Sequence, residues 1–134
     1  MPIKNKLGII DTQDAILGNP MYDVASLIDD VRTKVPSQIK KRTLQYYLKN
    51  CSLRNKPMHL LQNDFDILSV QRNLKILGIF YRLYKRDKKP QYLKYLPYTW
   101  KLIELRMKNK IFKNLSILLS KVVNTKLRTK KNFK

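Results

Sequence analysis

The sequence has one cysteine, Cys51, and one histidine, His59, in 134 residues. A lone cysteine excludes an intramolecular disulfide and any multi-cysteine metal site, and it fits a reducing compartment. A lone histidine excludes a histidine metal cluster. No apolar run approaches the length needed to span a bilayer, and the basic N-terminus runs into Gly8-Ile9-Ile10-Asp11 rather than into a signal-peptide core. A cytoplasmic location with no membrane partner is therefore expected. No internal repeat is present either.

Acidic residues are scarce: 9 against 29 Lys and Arg, a formal net charge of +20. Such a balance ordinarily points to nucleic acid or an anionic surface. The charge is mostly Lys in a chain also rich in Asn and Ile, which A/T-biased codon usage produces without selection for a ligand. Its distribution says more than its sum. Five of the nine acidic groups, Asp11, Asp14, Asp23, Asp29 and Asp30, fall in the first 30 residues. Carboxylates concentrated inside so basic a chain suggest a local task, such as holding a cation or pairing with buried arginine.

What the sequence does contain is helical periodicity in a length that suits one domain with one core. Leu7 to Ile10 is a short apolar run whose β-branched residues suit a strand, expected to deliver Asp11 to its end. Gly18-Asn19-Pro20 reads as turn, N-cap and N1 proline of a helix carrying Val24, Ala25, Leu27, Ile28 and Val31, closed by Pro36. Ser37 is expected to cap a second helix, with Ile39, Thr43, Tyr46 and Tyr47 inward and its end near Asn50. Cys51 to Gln62 reads as a loop. Asn63 is then the expected cap of the longest helix, with Asp64 and Asp66 in its first turn and Lys85 and Arg86 in its last. Two adjacent stripes make that helix central: Ile67, Val70, Leu74, Leu77, Tyr81 and Tyr84, and beside them Phe65, Leu68, Ile76, Ile79 and Leu83. Pro97 is expected to split the following stretch, lined by Leu93, Leu96, Trp100, Ile103 and Met107. A last helix spans Ile111 to Val123.

The stretch LGIIDTQDAILGNPMYDVASLIDDV, residues 7–31, resembles the IDFxDAxxGxPxYDLA segment of the aminoglycoside phosphotransferase and choline kinase-like family. Asp11, Asp14, Ala15, Gly18, Pro20, Tyr22, Asp23 and Ala25 fall on that pattern; Thr12 and Gln13 depart from the aromatic and glycine common there. QRNLKILGIFYRL, from Gln71, and KPQYLKYLPYTW, from Lys89, are similar to the bacterial N-acetylmuramate and N-acetylglucosamine anomeric kinase subgroup.

The resemblance implies site residues. Asp11 becomes a magnesium ligand, a hard oxygen donor at a strand end, where the metal neutralises charge on transferred phosphoryl. Asp14 either assists the metal or finishes the turn. Asp23 supports the site by hydrogen-bonding catalytic-loop backbone. Arg72 lies on an apolar stripe and must find an anion. That anion is Asp23, Asp29 or Asp30 in a buried pair; alternatively Arg72 or Asn73 faces the sugar or phosphate site. Tyr92, Tyr95, Tyr98 and Trp100 form either core or an aromatic wall for a sugar ring.

The expected fold is thus mainly α: the helical C-terminal lobe of a protein-kinase-like phosphotransferase with a short N-terminal β-strand or hairpin. Residues 1–125 form a partial lobe without the nucleotide lobe or catalytic loop, and 126–134 a basic disordered tail. The complete enzyme would use ATP and Mg2+ on an amino sugar, with a separate N-terminal lobe as partner, and the chain alone would be inactive. The competing class is a basic helical nucleic-acid-binding protein, supported by charge and by aromatics interleaved with Lys from Tyr81 to Trp100. It leaves the Gly18 to Asp23 spacing unexplained, so nucleic acid is not the expected partner.

Overall fold

The computed structural model describes residues 2–3, 6–7, 17–51, 56–124, 126 and 128. Pro2–Ile3 (β1) and Lys6–Leu7 (β2) pair antiparallel, Pro2 opposite Leu7 and Ile3 opposite Lys6. Helices follow at Met21–Ile28 (α1), Ser37–Asn50 (α2), Met58–Lys85 (α3), Leu96–Arg106 (α4) and Lys113–Val122 (α5), with 3₁₀ turns at Pro90–Tyr95 and Lys110–Phe112. The mainly helical class is as expected. Of the strand expected at Leu7 to Ile10, only Leu7 is among the described residues. No helix among them is long and apolar enough to cross a membrane.

Helix α3, with 28 residues, is the spine. It is roughly 42 Å long at 1.5 Å per residue, and every core cluster is built on it. Its first half packs Leu61 and Phe65 against Met21, Val24, Ala25 and Ile28 of α1 and Leu48 of α2. Its middle places Val70 with Ile103 and Phe112. Its last turns pack Phe80 with Val31, Leu93, Leu96 and Leu102. The Phe80 ring lies 5.6 Å from both Tyr92 and Tyr95, so these tyrosines belong chiefly to the core.

Two boundaries and one helix face differ from the sequence reading. Helix α3 starts at Met58, ahead of Asn63, because Pro57 sets the entry and Leu61 buries itself one turn before Phe65; tertiary burial extends the helix past a favourable cap. On α2 the inward residues are Leu44, Tyr47 and Leu48, while Ile39 and Tyr46 are 47% and 74% exposed. Helix α1 stops at Ile28, which sends Val31 into a different cluster from Val24. The Asn19-Pro20 start holds: Asn19 Oδ1 accepts the Met21 N–H at 3.0 Å, and Pro20 already has helical φ and ψ. Pro97 sits in the first turn of α4, where its missing N–H costs nothing.

Helix α3 leaves through Lys88, whose φ of 53° is left-handed, with the Lys89 N–H returning to the Leu83 carbonyl at 3.0 Å. A Cβ-bearing residue there is strained. Lys88→Gly is expected to stabilise the chain by up to about 1 kcal/mol, read as a higher urea midpoint at unchanged slope; a lower midpoint would show that the Lys88 side chain contributes more than its backbone costs. The segment expected as a tail is described at Lys126 and Arg128. Arg128 folds back, donating to the carbonyls of Leu119 (2.7 Å) and Val123 (3.1 Å) and to Glu104 (3.1 Å), with its guanidinium 5.2 Å from the Trp100 ring centroid.

Candidate functional site

Where α1 ends, the chain buries a charge. Asp29, the residue after α1, gives its N–H to the Ala25 carbonyl and points a fully buried carboxylate between α2, α3 and α4. Arg106, from the last turn of α4, grips it with two bonds, Nε to Oδ2 at 2.7 Å and Nη2 to Oδ1 at 3.0 Å. Lys40 of α2 adds a contact at 2.8 Å and the Ser69 hydroxyl of α3 one at 2.6 Å. Four elements thus meet on one carboxylate. Burial alone would raise the Asp29 pKa; the Arg106 bonds and charge, with Lys40 and Ser69, outweigh it and hold the carboxyl below its ordinary value.

A second buried carboxylate stands beside it. Asp66 accepts Gln62 Nε2 at 3.0 Å and Asn109 Nδ2 at 3.0 Å, while Arg106 Nη1 is 3.9 Å away. Asn109 also donates to Asn63 at 2.8 Å, the residue expected as a helix cap. Asp66, expected in the first turn of the helix, lies two turns into α3 and faces inward. Burial pushes its pKa up, and the Asn109 bond and Arg106 charge do not fully offset that. Arg106 lies 4.6 Å over the Phe65 ring, which stacks the guanidinium between its acids.

This network holds the scaffold and leaves no acceptor on Asp29 for a ligand. It also fixes a pH response. An unfolded Asp titrates near 3.9 and folded Asp29 below that, so its contribution is complete above about pH 4 and is lost as pH falls through the folded pKa. Asp66, shifted upward, opposes the fold only as pH rises past its unfolded value. Urea midpoints are expected to fall on acidification below about pH 4, and Asp29→Asn, less stable at neutral pH, should lose less there. A variant with an undiminished acid loss would remove Asp29 as its cause.

The residues singled out from sequence are placed as follows. Asp11 and Asp14 lie outside the described residues. Asp23 is exposed in the first turn of α1, with Ser26 Oγ donating to its carbonyl at 2.8 Å. Arg72 is half-buried and donates to the main-chain oxygen of Asp29 at 3.4 Å, not to a carboxylate; the buried arginine pairing with Asp29 is Arg106. Asn73 is fully buried, donating to Ser69 Oγ at 3.4 Å with its own Oδ1 unpartnered, so it belongs to the core rather than to a surface site. Arg72 lines a groove of about 340 Å³ with Tyr22, Arg32, Lys75, Ile76, Phe80 and Tyr92. Among the described residues no group of three His, Cys, Asp or Glu stands ready to hold a metal. The signal for Arg106 was in the sequence: it follows Leu102 and Ile103 by four and three residues, on the buried face of α4.

Comparison with known proteins adds what geometry does not. The chain is similar to N-acetylmuramate/N-acetylglucosamine kinases. That of Pseudomonas aeruginosa is 36% identical over 101 residues, which is 72% of this chain and 30% of the relative. That of Pseudomonas putida is 35% identical over 94 residues, 67% of this chain and 28% of the relative. The kinase of Caulobacter vibrioides is 31% identical over 100 residues, 75% of this chain and 27% of the relative. The chain therefore spans less than a third of the length of the curated relatives it matches. No family profile matches it, and no solved structure does.

Proposed function

We propose that this chain is the helical C-terminal part of an ATP-dependent kinase, similar to the aminoglycoside phosphotransferases, that phosphorylates an amino sugar such as N-acetylmuramate or N-acetylglucosamine in the cytoplasm. The observation that carries the reading is identity of 31–36% to kinases of that name across about 70% of the chain. The motif from Asp11 to Ala25 agrees with it, and within that motif the Asn19 cap starts α1. Charge and the aromatics interleaved with Lys from Tyr81 to Trp100 are the arguments for the nucleic-acid alternative, and they account for none of this spacing.

In this reading Asp11, assisted by Asp14, supplies hard oxygen donors of the kind magnesium takes. Magnesium bound there would neutralise charge on the transferred phosphoryl group. Asp23, exposed at the start of α1, is free to brace neighbouring backbone, and the helix dipole favours its charge. Arg72, half-buried on the spine, binds substrate. The nucleotide loop and the catalytic base come from the part of the enzyme not included in this sequence. Purified alone, the chain is expected to show no ATP-dependent phosphorylation of either sugar above a boiled control. Turnover by the isolated chain would overturn its assignment as an incomplete part.

A further inference from the structure

Arg72 is a half-buried cation with no carboxylate partner among the described residues. Among the described residues its hydrogen bond to the Asp29 main chain is long, 3.4 Å, and no carboxylate reaches ion-pair distance. The Asp29 carboxylate is fully engaged by Arg106, Lys40 and Ser69. Asp30, on the same groove, is folded into a turn: its Oδ1 accepts the N–H groups of Arg32 at 2.6 Å and Thr33 at 3.3 Å. A guanidinium with five donors and one long bond is poised for an oxyanion from outside.

Its surroundings define the rest of that ligand. Arg72, Ile76, Ile79 and Leu83 follow one another at three- and four-residue spacing along one strip of α3, with Lys75 three residues after Arg72 beside it. The cations stand at one end of the strip and the apolar residues continue from it. Arg32 adds a third cation, and Phe80 and Tyr92, stacked at 5.6 Å, complete the apolar wall. We infer that this groove binds a small ring compound carrying a carboxylate, with the carboxylate on the Arg72 fork and the ring against Ile76, Phe80 and Tyr92. A planar carboxylate takes two parallel bonds from the Arg72 fork, and, unlike inorganic phosphate, a ring compound also covers the apolar wall of Ile76, Phe80 and Tyr92. The inference rests on the amino-sugar reading only for the identity of the ring: N-acetylmuramate carries such a carboxylate and N-acetylglucosamine does not.

The test is NMR on the full labelled chain, following the Arg72 Nε–H and Tyr92 ring signals during titration with N-acetylmuramate, N-acetylglucosamine, benzoate and inorganic phosphate. Both acids should shift the two signals saturably, and N-acetylglucosamine should bind at least about tenfold more weakly for want of the charge-assisted bonds. Arg72→Gln should abolish the saturable shift of Tyr92, Arg72→Lys should weaken it by removing the fork, and Lys113→Gln, on distant α5, should leave it unchanged. Equal affinity for the two sugars, phosphate binding as tightly as benzoate, or binding indifferent to both Arg72 variants would overturn the inference. So would silence with both acids, an outcome that leaves turnover by a completed kinase as a separate question. Binding of benzoate but of neither sugar would uphold the carboxylate site and count against the amino-sugar reading.

Discussion

Arg106→Met should unfold this protein more readily than any other single change at its surface or its core polar network. Methionine fills much of the volume of the arginine stem and stacks on Phe65, so little packing is lost. What remains is a buried Asp29 carboxylate stripped of the two bonds at 2.7 and 3.0 Å. Removing one partner of a buried ion pair costs about 3–5 kcal/mol. The contacts of Lys40 and Ser69 hold the loss toward the lower figure. Against a total stability of roughly 5–15 kcal/mol, that is a large fraction, measurable as the urea midpoint. The double variant Asp29→Asn with Arg106→Met should be more stable than the sum of the single losses predicts, because neither charge is then left alone. Additive losses would mean that the two groups do not act as a pair.

Asp11→Asn carries the largest expected effect on chemistry, measured in an enzyme completed with the missing portion of a relative. The substitution preserves size and removes the charge that attracts a divalent cation. Metal neutralisation of a phosphoryl group contributes several kcal/mol, and about 1.4 kcal/mol is a factor of ten, so turnover should fall by about two orders of magnitude or more. Stability should change little. Asp23→Asn should behave the other way, costing positioning and fold while leaving the magnesium dependence of residual turnover intact. Near-normal turnover in Asp11→Asn, together with lost metal dependence in Asp23→Asn, would show the roles along this stretch to be assigned wrongly.

The spine was legible in the sequence because α3 repeats apolar residues at helical spacing over many turns, and no loop signal competes with that pattern. Its start was not, because Pro57 and the burial of Leu61 are tertiary facts while Asn63 is a good local cap. The inward face of α2 was misplaced for a related reason. Of its apolar residues Leu44, Tyr47 and Leu48 join the core, so Tyr47 was read correctly, while exposed Ile39 and Tyr46 carry the same local signal. The buried charge was half legible. A concentration of acids in a basic chain pointed to a buried arginine, but Arg72 lay on the more conspicuous stripe, and periodicity cannot say which cation a turn of backbone will bring to Asp29. The similarity to amino-sugar kinases was legible only as a resemblance: the Asp11 to Ala25 pattern resembles the wider phosphotransferase family, and the stretches from Gln71 and from Lys89 resemble the amino-sugar subgroup.

The central claim is that this chain supplies the metal-binding and substrate-facing helical part of an amino-sugar kinase. Its most direct test replaces the matching segment of the Pseudomonas aeruginosa kinase with this chain and measures ATP-dependent phosphorylation of N-acetylmuramate. The account predicts turnover by the chimera, a loss of about two orders of magnitude or more with Asp11→Asn, and none from the chain alone. A chimera that folds cooperatively in urea yet stays inactive, or one whose Asp11→Asn form turns over normally, would contradict it.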